Sequence, residues 1–289
     1  MRILLTGGSG FIGRACADVL RTRGADVLSP SSSDLNLLAE DDVAAYLRDA
    51  RPTHLLHAAW RAVHGDVMAS DDNKVWKDAS IALIRRFHEA GGAKVTGLGS
   101  SAEYDWGEDI CRIGVTPLAP ATAYGAAKHA LHQAIAAYAE RSGLAYAWPR
   151  VFFVYGPGEH ESRLGAFIIK QLLSDTPADL THGRQIRDYV YVSDVAEGVV
   201  AALTSDFQGE TDLASGIRRS VRELVTEIGD QMGKAHLLNF GARPSPAHDA
   251  PVVLGDPSHA HAGLGWTPAT PLPVGVAAEI DWGRTTFGG

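Results

Sequence analysis

Tyr124 and Lys128 are the residues whose types and spacing most directly suggest chemistry. They stand four positions apart in residues 123–128, so on a helix their side chains share one face. A phenol with a pKa of about 10 is a poor proton donor at neutral pH, and a neighbouring ammonium would lower that pKa towards the range useful for acid–base work. The same pair is common on amphipathic helices, where the ring packs and the amine is solvated. The rest of the chain must therefore decide between a catalytic and a structural role for the pair.

A glycine-rich turn near the start of the chain indicates a dinucleotide site. Residues 2–6 read as a buried strand, the turn GGSGFIG follows at 7–13, and residues 14–21 have helical periodicity. Glycines permit a tight turn and close approach of the backbone to a pyrophosphate, which the helix amino terminus then receives. The residues predicted to contact the cofactor here are Gly7, Gly10, Phe11, Ile12, Gly13 and Arg14.

The end of the second predicted strand, residues 25–29, bears on the choice of cofactor. An acidic residue there usually holds the ribose 2′-hydroxyl of NAD, but residues 29–33 read SPSSS and the first carboxylate is Asp34. Hydroxyls and backbone amides of this segment, helped by Arg14, suit a 2′-phosphate; a plain polar loop is the alternative. We expect NADP(H) to be favoured and NAD(H) to be possible, with Ser31, Ser32, Asp34 and Leu35 at the cofactor.

Strands that alternate with helices predict the elements which position these groups. Further strands are expected at 53–57, 94–98 and 145–152, with helices at 41–48, 73–90 and from 123 to about 141. Ala58 and Ala59 are small enough for a cofactor to lie against the end of the third strand. This order predicts an α/β fold with a doubly wound parallel (Rossmann) sheet, right-handed crossovers and a site at the carboxyl ends of the strands.

The alternation loosens after about residue 158, as expected of a smaller carboxy-terminal substrate-binding lobe. We expect the dinucleotide-binding domain to comprise residues 1–158 and also to receive 189–214. The substrate lobe is expected to comprise 159–188 and 215–289.

Composition excludes several classes of function. The chain has 289 residues, 45% of them hydrophobic, and a net charge of -8, so general attraction to nucleic acid or anionic membrane is not expected. Cys16 and Cys111 are in no metal or redox spacing. His248, His259 and His261 lack cysteine or acidic company, so no metal is predicted. No signal-peptide core or bilayer-length apolar stretch is present, and we expect a soluble cytoplasmic protein.

Taken in order, these motifs resemble the extended short-chain dehydrogenase/reductase family, in its group of sugar-nucleotide epimerases, dehydratases and reductases. The resemblance spans nearly the whole chain. Its segments are the glycine turn, Asp34-Leu35, His57-Ala58-Ala59, Ser100-Ser101, Tyr124 with Lys128, RVFFVYGP at 150–157, GRQIRDYVYVSDV at 183–195 and LGWTP at 264–268.

The resemblance implies roles for the central residues. Tyr124 would be the general acid or base on a substrate hydroxyl or carbonyl oxygen, and Lys128 would lower its pKa and bind the nicotinamide ribose. Ser101 would orient the substrate oxygen and stabilise developing alkoxide charge, with Ser100 as the alternative if the alignment shifts by one. The hydride chemistry would belong to the nicotinamide.

The resemblance also implies contacts to a nucleotide-sugar substrate. Arg187 is the candidate for gripping its pyrophosphate, because a guanidinium offers a bidentate fork; a surface ion pair with Asp188 or Asp194 is the alternative. Arg243 is a weaker companion. The other expected substrate contacts are Glu103, Phe153, His160 and Arg163.

Departures from the family pattern narrow the reaction. Dehydratases of the group carry an Asp-Glu pair directly after the catalytic Ser or Thr, whereas Ala102 and Glu103 follow Ser101, and the family's phosphate-side asparagine is Phe153 here. The serine-rich loop suits a released NADPH, and AEYDW at 102–106 resembles enzymes of the abequose-synthase type. We expect NADPH-dependent reduction of a nucleotide-linked 4-keto-6-deoxyhexose. The alternatives are an NDP-sugar 4-epimerase with tightly held NAD and a non-catalytic dinucleotide-binding sensor.

The helix that begins near residue 123 also predicts a homodimer. Its apolar positions exceed what one sheet face needs, and related enzymes often pair this helix across a two-fold axis. These positions are Ala130, Leu131, Ala134, Ile135, Ala137 and Tyr138.

Overall fold

The central sheet is built from short apolar strands that run parallel to one another. A computed structural model describes residues 1–61, 67–107, 110–245 and 249–288, so His248 lies outside the described residues. The strands are β1 (Arg2–Thr6), β2 (Asp26–Leu28), β3 (His54–His57), β4 (Lys94–Gly97), β5 (Gly99–Ser100), β6 (Ile110–Cys111), β7 (Ala145–Val151), β8 (Phe153–Tyr155), β9 (Ala178–Leu180), β10 (Ile186–Arg187), β11 (Tyr189–Tyr191), β12 (Gly209–Leu213), β13 (Arg219–Ser220), β14 (Leu238–Phe240) and β15 (Val252–Gly255).

The order of the main sheet creates a crevice at the end of β1. The strands follow the order β2-β1-β3-β4-β7-β12, with β5 also paired to β7, and every pairing is parallel. The chain leaves β1 for β2 on one side and then crosses back to β3 on the other. Such a reversal opens a ligand crevice outside the carboxyl ends of the strands, and the predicted α/β doubly wound parallel sheet is confirmed.

Helices cover both faces of this sheet. They are α1 (Phe11–Thr22), α2 (Glu40–Ala50), α3 (Asp72–Glu89), α4 (Ala123–Ser142), α5 (Leu164–Leu173), α6 (Val192–Thr204), α7 (Val221–Gln231), α8 (Ser258–Leu264) and α9 (Leu272–Phe287). None of the helices in the described ranges combines the length and apolar character that a bilayer crossing demands.

The alternation of side chains along β1 separates two cores. Ile3 and Leu5 point into a core shared with α1 and α6, while Leu4 points into a core shared with α2, α3 and α4. Successive strand residues face opposite sides of a sheet, so one apolar strand serves both layers.

A third core lies in the carboxy-terminal part of the chain. It joins α5, α7 and α9 through Ile168, Ile169, Leu224, Ile228 and Ile280, all of them fully buried. Near it, β13, β10, β15 and β6 form a separate four-stranded sheet, while β8 pairs with β11 and β9 with β14. The proposed division into a cofactor domain and a substrate lobe stays a prediction.

The exposed apolar surface of α4 is smaller than the sequence predicts. Leu131 and Ile135 are buried in the core that α4 shares with α2 and α3, and Tyr138 packs against the same core. The helix has two apolar sides, and α3 covers the one that does not face the sheet. The sequence alone does not reveal this cover, because the two sets of apolar positions alternate along α4. Ala130, Ala134 and Ala137 remain half-buried.

Candidate active site

The glycine turn after β1 fits a dinucleotide, and the backbone leaves no room for a side chain at Gly7 or Gly13. Gly7 has φ +75°, and a Cβ there would lie 2.5 Å from the backbone nitrogen of Ala59; a Cβ at Gly13 would lie 2.1 Å from the carbonyl oxygen of Gly7. Gly10 caps α1 without a side-chain hydrogen bond, so the first N–H groups of the helix face outward for an anion. The helix begins at Phe11, earlier than the predicted residue 14, so the turn delivers the helix terminus directly to the crevice.

The predicted cofactor residues line two adjoining cavities. One cavity of about 220 Å³ has walls that include Gly7, Ser31, Ser32, Leu35 and Ala59. The other, of about 370 Å³, lies on the far side of the serine loop; its walls are Gly8, Ser9, Arg14, Asp18, Arg21, Ser29, Pro30 and Ser31. The remaining predicted cofactor residues Phe11, Ile12 and Ala58 are partly buried and pack against the first core.

Asp34 and Arg14 make contacts within this rim. The Asp34 carboxylate accepts hydrogen bonds from the Ser31 hydroxyl at 2.6 Å and the Ser31 backbone N–H at 3.0 Å, and these bonds hold its pKa below the ordinary value. The Arg14 guanidinium donates to the carbonyl of Gly158 at 2.8 Å. The Asp34 carboxylate is therefore engaged by hydrogen bonds within its own loop.

Tyr124 and Lys128 both lie on the first turns of α4. Thr122 starts the helix by accepting a hydrogen bond from the Gly125 N–H at 3.0 Å. The buried Lys128 ammonium donates to the Leu98 carbonyl at 3.0 Å and lies 4.0 Å from the centre of the Trp60 ring. Burial lowers the pKa of Lys128 to about 8, against the opposing effect of the Glu103 carboxylate.

The pKa of Tyr124 moves in the opposite direction from the sequence-based expectation. Burial raises it to about 12, a hydrogen bond with Ser100 opposes that rise, and the charge of Glu103 adds to it. The phenol is therefore protonated at neutral pH. The Lys128 ammonium lies 5.8 Å from the centre of the Tyr124 ring, and its lowering of this pKa stays a prediction.

Ser100 is the serine whose hydroxyl acts on the pKa of Tyr124, which favours the alternative alignment over the first choice, Ser101. Ser100 ends β5 and hydrogen-bonds the phenol, while its Oγ also accepts from the Ala102 N–H at 3.2 Å. Ser101 begins a short 3-10 turn, is buried, and accepts a hydrogen bond from Trp106 at its carbonyl. The change from strand to turn decides which of two adjacent hydroxyls faces the phenol.

Glu103 is not placed to contact a sugar. Its side chain is fully buried, and its oxygens accept hydrogen bonds from the Ser100 N–H at 2.8 Å, from Trp148 Nε1 at 3.0 Å and from Arg150 Nε at 3.2 Å. Arg150 also pairs with Glu210 and lies beside Asp212. The expected substrate contact is corrected: Glu103 is part of a buried ion-pair network that supports the Ser100 turn.

Trp60 is a site residue that the sequence analysis missed. Its ring lies under the Lys128 ammonium and meets the Tyr124 ring edge-on, with centroids 6.1 Å apart. Its indole N–H donates to the buried Asn73 at 2.9 Å, which fixes the ring. The signal available was its position, because it directly follows Ala58 and Ala59, the small residues after β3.

Two connected cavities beyond Tyr124 suit a larger substrate. The smaller, of about 280 Å³, has Phe153, Arg163, Arg187 and Tyr189 in its walls. It shares Gln185 and three other wall residues with a cavity of about 860 Å³ that includes Arg243. Arg163 is also close enough to Tyr124 for its charge to lower the tyrosine pKa. His160 stands outside these walls, with its Nδ1 2.9 Å from the Ser162 hydroxyl.

Arg187 is held by the protein itself. It donates to the carbonyls of Ile186 and Ala250 at 2.7 and 2.8 Å and forms an ion pair with Asp249. Asp188 and Asp194, the two carboxylates considered as partners of Arg187, are bonded elsewhere. Asp188 accepts hydrogen bonds from Ser215, Gly216 and Gly255, and Asp194 accepts one from Thr270. A phosphate would have to displace Asp249 to be gripped by Arg187.

One group of described side chains has the spacing of metal ligands, but its surroundings oppose a cation. Glu103, His129 and His132 offer ligand atoms within 4.8 Å of one another. The Glu103 oxygens already accept hydrogen bonds from three donor groups, and the Arg150 guanidinium is 3.4 Å from His132 Nδ1. The positive charge of Arg150 would repel an ion at that point.

Comparison with known proteins agrees with this arrangement. The family model described as the NAD dependent epimerase/dehydratase family matches residues 3–213. A UDP-glucose 4-epimerase of Corynebacterium glutamicum is 27% identical over 302 residues, 93% of this chain and 91% of that protein. A dTDP-glucose 4,6-dehydratase of Xanthomonas campestris is 25% identical over 325 residues, 96% and 92% of the two chains.

A solved structure extends the likeness to the fold. The crystal structure of a Thermus thermophilus UDP-glucose 4-epimerase in complex with NAD aligns with a TM-score of 0.87 at 25% identity, over 98% of this chain and 99% of that one. These matches support a nucleotide-sugar-modifying enzyme with an NAD(P) dinucleotide cofactor. The resemblance seen in the motifs is thereby confirmed, and the chain belongs to the NAD dependent epimerase/dehydratase family.

Proposed function

We propose that the protein is an NDP-sugar 4-epimerase that uses NAD(H). The observation that carries the proposal is the grouping of Tyr124, Ser100 and Lys128 near the carboxyl end of β4: Ser100 acts on the pKa of Tyr124, and the Lys128 ammonium donates to the Leu98 carbonyl. The UDP-glucose 4-epimerases among its relatives favour this reaction over the 4-ketoreduction expected from the sequence. The expected preference for NADP likewise has no support from the NAD-bound neighbour.

The side chains fit an exchange of hydrogen at one sugar carbon. When bound, a nicotinamide cofactor accepts and returns a hydride. Tyr124 exchanges a proton with the C4 oxygen, and the Ser100 hydroxyl stabilises charge on that oxygen. The Lys128 ammonium supplies a positive charge on the same face of α4. In the oxidative half of the cycle the Tyr124 oxygen takes the proton of the C4 hydroxyl, and in the reductive half it returns that proton.

Loss of water from the sugar is disfavoured by the residues after Ser100. Dehydration requires an acid for the departing C6 hydroxyl, and the next two residues are Ser101 and Ala102. Glu103 is fully buried and bonded to Arg150. With Ser100 as the active hydroxyl, the positions of the dehydratase acid pair carry no carboxylate at all.

Conversion of UDP-glucose to UDP-galactose, followed by chromatography, tests the proposal. We expect conversion without added reductant and co-purification of NAD(H). Tyr124→Phe should reduce turnover by about 10²–10⁴-fold while cofactor binding is kept. Tyr138→Phe is the matched control on the same helix, because the Tyr138 hydroxyl contacts His88 away from the site. Absence of conversion for UDP-linked sugars as a class would contradict epimerisation.

A second candidate, NADPH-dependent reduction of a nucleotide-linked 4-keto-6-deoxyhexose, is favoured by one feature of the cofactor rim. The cavity between Arg14 and Arg21 is edged by Ser29 and Ser31, while Asp34 is occupied by Ser31. Cationic and hydroxyl groups suit a 2′-phosphate. Stoichiometric oxidation of NADPH by dTDP-4-keto-6-deoxyglucose, weakened in Arg21→Ala, would establish this candidate over the epimerase.

A further inference from the structure

Two buried carboxyl groups meet beneath the wall of the substrate cavity. Glu279 on α9 is fully buried, and Glu159, on the loop before α5, is 4% exposed. A Cβ on Gly165 would lie 2.1 Å from a Glu279 oxygen and 3.0 Å from a Glu159 oxygen. The absence of a side chain at Gly165 therefore leaves the space in which the two carboxyl groups converge.

The partners of the two groups differ sharply. Glu159 accepts from the Ala166 N–H at 2.9 Å and from Arg163 Nε at 3.3 Å. Neither Glu279 oxygen has a donor among the described residues. Glu279 is within hydrogen-bonding reach of Glu159, and two carboxyl groups can bond to each other only when a proton lies between them. Two adjacent buried anions would repel each other strongly.

Among the described residues, Glu159 and Arg163 beside α5 are the charged groups that act on Glu279. The phenols of Tyr155 on β8 and Tyr191 on β11 also face it. Burial and the charge of Glu159 raise the pKa of Glu279 well above its ordinary value. One proton on the pair leaves one negative charge, which Arg163 balances.

Arg163 connects this pair to the substrate. Its Nη2 donates to the Val154 carbonyl at 3.1 Å, and its side chain is 43% exposed in the wall of the cavity that also contains Phe153 and Arg187. Its charge reaches Tyr124. Unlike Arg187, it presents exposed guanidinium surface to the cavity.

We propose that Glu279 is a positioning residue: it shares one proton with Glu159, and the pair holds the Arg163 guanidinium against the nucleotide-sugar cavity. The inference rests on the proposed function, because it concerns the cavity assigned to that substrate. Glu279 touches no substrate and acts through two further residues.

Binding of UDP-glucose, measured by calorimetry, tests the inference with three variants. Glu279→Leu removes the donor to Glu159 and should weaken binding about tenfold. Glu279→Gln keeps a donor without needing a proton and should bind as the wild type does at pH 7. As the pH rises, the wild type should lose affinity relative to Glu279→Gln, because its shared proton dissociates. Both proteins are measured with the same ligand, so any titration of the ligand itself affects them equally.

A double-mutant comparison separates positioning from a general structural effect. If Glu279 acts through Arg163, Glu279→Leu should have little further effect in an Arg163→Met background. Asp281→Asn, two positions along α9 in an exposed pair with Arg284, is the control for lost charge. Equal affinity of Glu279→Leu and wild type, or full additivity with Arg163→Met, would overturn the inference. Failure of the wild type itself to bind UDP-glucose would instead count against the proposed function.

Discussion

At the residue scale, the choice between Ser100 and Ser101 is the assignment that the sequence separates least. Ser100 and Ser101 are adjacent and identical in type, so composition and motif cannot separate them. Both are buried, and they differ in backbone: Ser100 is the last residue of β5, whereas Ser101 is the first residue of a 3-10 turn. The burial of Glu103 in an ion pair was equally hidden in the sequence, because its partner Arg150 lies 47 positions away.

Substitution of the two serines should therefore have unequal effects. Ser100→Ala removes the hydroxyl beside Tyr124, and we expect kcat to fall by about 10²-fold, in line with loss of one donor to a developing oxyanion. Ser101→Ala should keep kcat within about twofold. Steady-state kinetics on the same substrate measures both; a larger loss for Ser101→Ala would restore the original assignment.

The charge of Lys128 should govern activity above neutral pH. Because its pKa is lowered to about 8, its ammonium is lost as the pH rises through that value, well before the ordinary lysine range. We expect kcat to decline above about pH 8. The unfolded chain keeps the proton up to about 10.4, so between these values the unfolded state binds more protons and this group makes folding more favourable as the pH rises.

Trp60 should set the position of that decline. Its ring stabilises the ammonium by about 0.5–2 kcal/mol in a desolvated site, so Trp60→Leu should move the decline to lower pH. Trp60→Phe keeps an aromatic face and should shift it less. The pH dependence of kcat for the three proteins is the measurement, and an unchanged profile in Trp60→Leu would exclude this contribution.

At the scale of elements, long periodic segments were predictable and short ones were not. The expected helix from 123 to about 141 is observed as Ala123–Ser142. In contrast, α1 begins three residues before its predicted start, because Gly13 of the glycine turn lies in the first turn of the helix. The two-residue strands β5, β6, β10 and β13 carry too little periodicity to be read from sequence.

The cap of α4 should contribute measurably to stability. Thr122 accepts the Gly125 N–H at 3.0 Å, and replacing such a cap with alanine costs about 1 kcal/mol. We expect Thr122→Ala to lower the free energy of unfolding by that amount in urea titration. Thr122→Ser keeps the acceptor and should match the wild type; similar losses in both variants would show that the methyl group, not the cap, is responsible.

At the scale of the whole molecule, partners distant in sequence explain what could not be predicted. Arg187 and Asp249 are 62 positions apart, and Glu159 and Glu279 come from a loop and the last helix. Motifs locate residues along the chain, but packing of three cores decides which charges meet. The sequence was therefore informative about the cofactor crevice, which one βαβ unit builds, and less so about the substrate side.

The expected homodimer remains a prediction about α4. With Leu131 and Ile135 in the core, any contact between copies would use the half-buried Ala130, Ala134 and Ala137. Light scattering should give twice the mass of the chain, and Ala134→Arg should halve it by placing two like charges near the axis. Gln133→Arg, at an exposed neighbouring position, is the control. A wild-type protein with the mass of one chain would remove the prediction.

The contact between Trp60 and Lys128 also gives the protein an optical property. A positive charge 4.0 Å from the indole centre perturbs the emission of that ring, and the perturbation ends when the amine loses its proton. The fluorescence difference between the wild type and Trp60→Phe, followed across pH, isolates this one indole from the other tryptophans. Light emission can thus report the protonation of an acid–base site directly, without turnover of any substrate.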